Sequence, residues 1–290
     1  MSIRPVTIIV PVYADWQSLK ECIQSLIEHV DITHNQVLLV NDNGPEANEL
    51  EKKIQTAIKN KNGFKYYRNQ KNLGFVGNCN NAVNNLDKTD NDILLLNSDT
   101  KVTDGFLEEM CAVLYDKPSH GVVSPRSNNA TIATIPLSSA PQKGIDPQKS
   151  FSMFNEMKKS LPRYNEVPVA HGFCMLIKRS LIKEYGLFDK AFGKGYGEEV
   201  DFCQRIIKDG YKSILANRAY VFHLEARSFT LEAKEKMLEV NNKIIWSRYP
   251  DYRQSVRDYV QEALVREEGK PSARSILYSK LKALLRRIIS

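Results

Sequence analysis

The first half of the chain alternates short apolar runs with stretches in which apolar residues recur every three or four positions. Runs of the first kind predict buried β-strands, and stretches of the second kind predict amphipathic helices. The predicted strands cover residues 6–10, 37–40, 64–67 and 93–96, and a predicted helix follows each of them. This alternation indicates an α/β fold with a mostly parallel central sheet flanked by helices.

The second half of the chain has a weaker pattern. Residues 127–166 are rich in Ser, Asn, Thr, Ala and Pro without a clear period, which predicts a long irregular segment with a role as a functional loop or lid. Strand-like pieces then alternate with an amphipathic helix over 198–209, and everything beyond residue 230 is predicted helical. We therefore expect one domain over residues 1–229, divided near residue 125, and a helical C-terminal extension over 230–290.

The net charge of +7 is concentrated at the C-terminus. Residues 270–290 carry six Lys and Arg residues and no acid, so the rest of the chain is almost neutral. A near-neutral body argues against nucleic-acid binding. Within this tail, residues 272–289 place Leu277, Leu281, Leu284 and Ile288 on one helical stripe among the cations. The stripe predicts docking either on an anionic membrane surface or on a partner subunit, including a second copy of the chain.

Cysteine usage and hydropathy bear on the compartment. The five cysteines are widely spaced in apolar patterns, which predicts buried free thiols in a reducing environment. No apolar run approaches the length of a membrane span, and the first predicted strand follows the initial Met too closely for a signal peptide. We expect a cytoplasmic protein, with peripheral attachment to the inner face of the cell membrane if the tail binds lipid.

Polar residues follow several of the predicted strands, at the sheet edge where open parallel sheets bind ligands. The first strand leads into Pro11, Val12 and Tyr13, and Asp42 and Asp99 follow two later strands. No G-x-G-x-x-G follows the first strand, and the chain has no G-x-x-x-x-G-K-[ST]. These absences argue against a dinucleotide-dependent oxidoreductase and a P-loop nucleotide hydrolase.

Three groups of residues are candidates for chemistry, and each also has a purely structural interpretation. Asp99, beside Asn97, is suited to a divalent cation bridging a diphosphate, or it caps a following helix. His223 ends a strand and is either a ligand or a structural histidine. Glu198 and Glu199 follow a glycine-rich turn over 192–197, which is either a phosphate cradle or a hinge. The carboxylates of these two glutamates either serve proton transfer or complement the helix dipole.

Taken together, these segments resemble family 2 glycosyltransferases with the GT-A fold. The Asn-Leu-Gly-Phe and Asn-Ser-Asp-Thr sequences are most similar to rhamnosyltransferase-like members that build bacterial surface polysaccharides. The resemblance covers about residues 5–230. The matching segments, in chain order, are residues 6–13, 40–43, 72–82, 95–100, 197–205 and 221–229.

The resemblance implies a role for each candidate residue. Residues 1–125 would form the nucleotide-sugar half of a catalytic domain and 126–229 its acceptor half. The donor would contact a set of residues consisting of Pro11, Val12, Tyr13, Asp42, Asn72, Gly74, Asn97, Asp99 and Glu198. Glu199 would be the general base, with Glu198 as its rival, and Asp99 with His223 would hold Mg²⁺ or Mn²⁺. Asn97 stands where the family has the first acid of its Asp-x-Asp motif.

The implied reaction is an inverting transfer of a sugar, of hexosyl or rhamnosyl type. The donor would be dTDP-rhamnose or a UDP-sugar, and the acceptor a hydroxyl of a glycan or a lipid-linked oligosaccharide. The alternative from another class is a non-catalytic nucleotide-sugar-binding protein on the same fold. A sugar-phosphate nucleotidyltransferase is disfavoured, since no glycine-rich phosphate loop follows the first strand.

Overall fold

The computed structural model describes residues 4–136, 146–224 and 231–268. Within these residues, nine strands form one sheet. The strands are β1 (Val6–Val12), β2 (Gln36–Asn41), β3 (Phe64–Arg68), β4 (Asp92–Leu96), β5 (Thr100–Val102), β6 (His120–Arg126), β7 (Tyr164–Val167), β8 (Cys174–Ile177) and β9 (Lys212–His223). The helices are α1 (Trp16–His29), α2 (Ala47–Ala57), α3 (Gly74–Asn81), α4 (Phe106–Leu114), α5 (Pro147–Met157), α6 (Arg179–Tyr185), α7 (Glu198–Lys208), α8 (Leu231–Arg248) and α9 (Tyr252–Glu268).

The sheet has a parallel part and a mixed part. Its order is β3-β2-β1-β4-β8-β6-β9-β5, with β7 paired to β9 beside this path. Strands β3, β2, β1 and β4 are mutually parallel, as the alternating pattern predicts. Beyond them β8 runs antiparallel to both β4 and β6, and β9 is parallel to β6 but antiparallel to β5 and β7. The α/β class is therefore confirmed, and the parallel arrangement belongs to the first four strands.

Strands β1, β2 and β4 are buried along almost their whole length. This burial explains their continuous apolar runs, because helices cover both faces of a parallel sheet. Helix α1 begins at Trp16 because the Asp15 carboxylate accepts a hydrogen bond from the Ser18 amide at 3.3 Å. All five cysteines are buried and unpaired, as their apolar surroundings predict.

The segment over 127–166 differs from its prediction as a wholly irregular stretch. It contains helix α5 and strand β7. Helix α5 lies against β9 through an aromatic cluster in which Phe151 and Phe154 approach Tyr220, with ring centroids 5.1 and 4.9 Å away. This packing joins α5 to β9 across a long sequence separation, and Asp146 caps the start of the helix. Residues 137–145 lie outside the described part of this segment.

The C-terminal helices α8 and α9 share the main hydrophobic core. Ile245, Tyr249, Tyr252, Val256 and Val260 are all buried within the cluster that includes the sheet. Among the described residues, no helix is long and apolar enough to cross a membrane. The predicted amphipathic tail over 270–290 lies outside the described residues.

Candidate active site

The carboxyl ends of the first strands meet at one edge of the sheet. Val12 at the end of β1 is in register with Asn41 at the end of β2. The Asp42 amide donates to the Val12 carbonyl oxygen at 2.7 Å, which ties the two strand ends together. The Val12 side chain itself is fully buried, so this residue supports the edge through its backbone. Pro11 and Tyr13 are half-buried beside it.

Asp42 organises the turn that carries Asn72 and Gly74. Its buried Oδ1 accepts hydrogen bonds from Asn69 Nδ2 at 2.8 Å and from the Leu73 amide at 2.9 Å. Burial raises the pKa of Asp42, and these hydrogen bonds oppose the rise by stabilising the charged form. Asp42 therefore joins the end of β2 to the start of α3.

The turn at Asn72 packs against the glycine-rich loop far along the chain. Asn72 is exposed, and its Oδ1 accepts a hydrogen bond from the Gly74 amide at 2.9 Å. Gly74 has a φ of +72°, and a Cβ added there would lie 3.2 Å from the Cα of Lys194. Glycine is required by both the backbone conformation and this close approach. The tertiary structure thus brings two of the predicted donor-site segments into contact.

Asp99 and His223 lie side by side, as proposed for a metal-binding pair. Asp99 Oδ1 is 3.5 Å from His223 Nε2. Their proximity follows from the pairing of β5 with β9, in which Thr100 is opposite His223. The alternative that Asp99 caps a helix is ruled out, because Asp99 is followed by a strand and α4 is capped by Gly105.

The His223 ring is oriented by two neighbours. Its Nδ1 lies 2.8 Å from the Asn129 carbonyl oxygen, which only accepts, so Nδ1 carries a proton. In the neutral ring the lone pair is then on Nε2, the atom that faces Asp99. Phe173 stacks on the imidazole with centroids 5.1 Å apart. A hydrogen bond from one ring nitrogen to a backbone carbonyl oxygen commonly orients a histidine whose other nitrogen binds a metal.

A divalent cation fits this pair, provided that most of its ligands come from elsewhere. Carboxylate oxygen and imidazole nitrogen are both suitable for Mn²⁺, whereas Mg²⁺ prefers oxygen. Within the described residues, no group of three or more His, Cys, Asp or Glu side chains is arranged to hold a metal ion. A cation held by Asp99 and His223 would therefore complete its coordination with phosphate oxygens and water, as is usual for phosphate-bound Mg²⁺.

Asn97, between β4 and Asp99, is held by its backbone. Its amide donates to the Phe173 carbonyl oxygen at 2.8 Å, and its own carbonyl accepts the Thr100 hydroxyl at 2.7 Å. The side chain is half-buried. An amide here in place of a carboxylate leaves Asp99 as the acid of this strand end.

Glu199 lies in the first turn of α7. Gly197 precedes the helix with a φ of +94°, and its amide donates to Glu199 Oε2 at 3.1 Å. On the other side, Gly172 faces Glu199, since a Cβ added to Gly172 would lie 3.7 Å from the Glu199 Cβ and Cγ. Burial raises the pKa of Glu199, and backbone hydrogen bonds limit the rise. A half-buried carboxylate with a raised pKa is suited to accept a proton near neutral pH.

Glu198 has a different environment from its neighbour. It is only 5% exposed, and its Oε2 has no hydrogen-bond partner among the described residues. Burial, followed by the repulsion of Glu199, raises the pKa of Glu198 well above the usual range for a carboxyl group. The greater burial of Glu198 and its unpaired oxygen disfavour its charged form more than that of Glu199, which favours Glu199 as the base.

The sequence pattern gave no role to residues 171–173, which connect the two halves of the site. Gly172 contacts Glu199 and Phe173 stacks on His223. The pKa of His171 is lowered to about 4 by burial and, secondarily, by the nearby His223. Its Nε2 lies 3.2 Å from the Thr131 hydroxyl. The sequence feature that could have pointed to this segment is the glycine between His171 and Phe173, directly before the strand-like run of β8.

Comparison with known proteins decides which family has this arrangement. The model of the family named Glycosyl transferase family 2 matches residues 7–186, more than half of the chain. The chain belongs to glycosyltransferase family 2. The sequence resemblance is therefore confirmed. Asp42 and Asp99 lie within the matched region, and the glycine-rich turn over 192–197 lies just beyond it.

One curated relative also matches this family 2 glycosyltransferase. It is the low-salt glycan biosynthesis hexosyltransferase of Haloferax volcanii, 26% identical over 136 residues. The match covers 46% of this chain and 43% of the relative, so less than half of the relative's length is represented.

Solved structures of similar fold support the GT-A architecture of this family 2 chain. GalNAc-T7 with UDP, GalNAc and Mn²⁺ has a TM-score of 0.62 at 16% identity, over 97% of this chain and 55% of that one. The Pyrobaculum calidifontis mannosyltransferase with GDP-Man and Mn²⁺ has a TM-score of 0.56 at 16% identity, over 97% and 69%. S. aureus TarS has a TM-score of 0.54 at 15% identity, over 97% and 88%. At these identities the likeness concerns the fold.

Proposed function

We propose that this family 2 chain is an inverting glycosyltransferase that moves a sugar from a nucleotide-diphosphate donor to an acceptor hydroxyl. The observation that carries the proposal is the placement of Glu199. This half-buried carboxylate lies beside Gly172, and the next residue, Phe173, stacks on His223 of the Asp99–His223 pair. A proton acceptor and a diphosphate-binding pair that lie against the same short segment are suited to a single displacement at an anomeric carbon.

In this mechanism Glu199 accepts the proton of the attacking acceptor hydroxyl. The Gly197 amide orients the carboxylate at 3.1 Å, and Gly172 leaves space beside it because it has no side chain. A positioned base of this kind contributes about 10²- to 10⁴-fold in rate. Glu198, whose pKa is raised by burial, would contact bound substrate rather than serve as a second base.

The nucleotide-diphosphate side of the site would be formed by Asp42, the turn at Asn72 and Gly74, and the strand end from Pro11 to Tyr13. Asp99 and His223 would hold Mg²⁺ or Mn²⁺, which supplies neutralisation of the charge that develops on the departing diphosphate. The solved structures of similar fold that contain Mn²⁺ with UDP or GDP-Man support this assignment.

For the donor and acceptor, the proposal is a hexosyl or rhamnosyl transfer from dTDP-rhamnose or a UDP-sugar to a glycan or lipid-linked oligosaccharide. The Haloferax volcanii hexosyltransferase of glycan biosynthesis supports the sugar class. Action at the cytoplasmic face of a membrane, with docking through residues 272–289 on lipid or on a second copy, stays a prediction.

The proposal is tested by donor binding and turnover of the wild-type protein and of Glu199→Gln. Nucleotide sugars that bind should raise the melting temperature of both proteins, because binding stabilises the folded state by mass action. Transfer should fall by at least about 100-fold in Glu199→Gln, since only the proton acceptor is lost. The matched control is Glu198→Gln. If Glu198→Gln loses transfer and Glu199→Gln keeps it, the base is Glu198. If both variants stay active, neither glutamate is the base. If the wild-type protein binds donor but transfers nothing, the chain is a binding protein.

The metal assignment is tested by Asp99→Asn. Wild-type donor binding should depend on Mn²⁺ or Mg²⁺ and should weaken in excess chelator, while Asp99→Asn should bind donor weakly with or without the cation. Calorimetry of donor binding with each cation measures this directly. Full wild-type activity in excess chelator would contradict the proposed role of both Asp99 and His223.

A further inference from the structure

The glycine-rich loop before α7 has a backbone that few residues adopt by themselves. Gly193, Gly195, Tyr196 and Gly197 have φ angles of +55°, +126°, +72° and +94°. Left-handed backbone costs about 1–2 kcal/mol at a residue with a side chain, such as Tyr196, and glycine loses more chain entropy than any other residue when it is ordered. A loop of this composition keeps one conformation only when other parts of the protein hold it.

A single side chain from the C-terminal helices provides three of the hydrogen bonds that hold the loop. Asn241, on α8, is buried, with 7% of its surface exposed. Its Nδ2 donates to the carbonyl oxygens of Phe192 at 3.2 Å, Gly195 at 2.8 Å and Tyr196 at 2.8 Å. The two hydrogens of this amide are thus shared among three carbonyl oxygens of the loop backbone. An asparagine amide suits this position because it is short, uncharged and carries two donors.

The loop transmits this restraint to both sides of the site. At its end, the Gly197 amide follows the Tyr196 carbonyl directly and donates to Glu199 Oε2 at 3.1 Å. At its middle, Lys194 lies against Gly74 of the donor-side turn. Ile245, one turn after Asn241 on α8, also packs against the loop. A Cβ added to Gly197 would lie 3.5 Å from Ile245 Cγ1.

We propose that Asn241 is a positioning residue for the proposed transfer reaction: through the backbone of residues 192–197 it orients Glu199 and holds the loop against the donor-side turn. The inference rests on the function proposed above for Glu199. Asn241 touches none of the reacting groups and acts only through the loop. It follows that α8, which lies beyond the region matched by the family model, completes the catalytic geometry.

The structural part of the proposal is tested by hydrogen–deuterium exchange of the full chain. Asn241→Asp keeps the size of the side chain but replaces two donors with a carboxylate that repels three carbonyl oxygens. We expect exchange of the amides of residues 192–199 to rise at least about tenfold, while the strands of the sheet stay protected. The control is Asn242→Asp, the same change at the half-buried next residue of α8, which should leave this exchange unchanged.

The catalytic part is tested by steady-state kinetics on the same proteins at a temperature well below unfolding. We expect kcat to fall about 10- to 100-fold in Asn241→Asp, because misplacement of a catalytic group by about 1 Å has effects of this size. The donor KM should change less than about threefold. The ratio of donor hydrolysis to transfer should rise, because a displaced loop admits water. Asn241→Ser, which keeps one donor and removes the repulsion, should have an intermediate kcat.

The outcomes separate this inference from the proposed function. Unchanged exchange over residues 192–199 in both Asn241→Asp and Asn241→Ser overturns the inference, as does a normal kcat in the folded fraction of both variants. If wild-type protein turns over no donor although exchange responds to Asn241→Asp, then the proposed function fails while the restraint on the loop stands. If Asn241→Asp does not fold, Asn241→Ser decides by the same two measurements.

Discussion

A buried carboxylate near the start of α7 joins this helix to the C-terminal helices. Asp201 has no exposed surface and accepts three hydrogen bonds. Arg205 Nε donates at 2.9 Å from the same helix, and Arg248 and the Tyr249 hydroxyl of the α8 end donate at 2.7 and 2.8 Å. Asp201 and Arg205 thus form an i,i+4 ion pair within α7, and two residues from far along the chain add to it.

Replacing this residue in Asp201→Asn should destabilise the protein by about 3 kcal/mol. The change removes the buried charge and turns an acceptor into a donor that faces one of the arginines. Removing one partner of a buried ion pair costs about 3–5 kcal/mol. The lower end applies because Arg205 keeps its hydrogen bonds to the Tyr185 and Leu187 carbonyl oxygens at 2.6 and 2.5 Å, and the Arg248 side chain is 37% exposed.

The assay is thermal unfolding followed by circular dichroism. With about 2–4 °C of melting temperature per kcal/mol, Asp201→Asn should melt about 6–12 °C below the wild type. The control is Asp209→Asn near the end of α7, where the exposed carboxylate accepts only the Tyr185 hydroxyl at 2.7 Å. It should cost less than about 1 kcal/mol. A loss below about 1 kcal/mol for Asp201→Asn as well would refute the claim that this carboxylate joins α8 to α7.

Two further predictions follow from the site. In Gly44→Ala the added Cβ would lie 2.1 Å from the Tyr13 carbonyl oxygen, so the strand end must move, and calorimetry should show donor affinity reduced at least about tenfold. In the control Gly105→Ala a Cβ meets nothing within 4 Å, so affinity should stay unchanged, although alanine at a φ of +69° lowers stability. His171 has a pKa of about 4 in the folded protein against an ordinary 6.5, so unfolded chains bind its proton more readily between these values. Stability should therefore fall as pH drops from about 6.5 toward about 4, and melting curves of His171→Gln should show a shallower decline; identical slopes would contradict the lowered pKa of His171.

The parts of the fold that could be predicted from sequence are those where one chain segment determines its own environment. The apolar runs of β1, β2 and β4 are continuous because each strand is buried on both faces, and Asp15 marks the start of α1 because capping acts over three residues. The helix over 147–157 has local start signals, since Asp146 caps it and Pro147 is its first residue, but only the tertiary structure shows its aromatic contacts with β9 about 70 residues later.

The same division holds for the site. The residue types at the strand ends, and their order along the chain, were sufficient to nominate Asp42, Asp99, Glu199 and His223 and to indicate the family. Local pattern left Glu198 and Glu199 equivalent, because both are acids in a first helical turn. Only the tertiary structure separates them: Glu198 is buried with an unpaired oxygen, while Glu199 faces Gly172 and receives the Gly197 amide. The choice depends on burial and on backbone groups from distant segments, and neither is encoded in the spacing of residues along one helix.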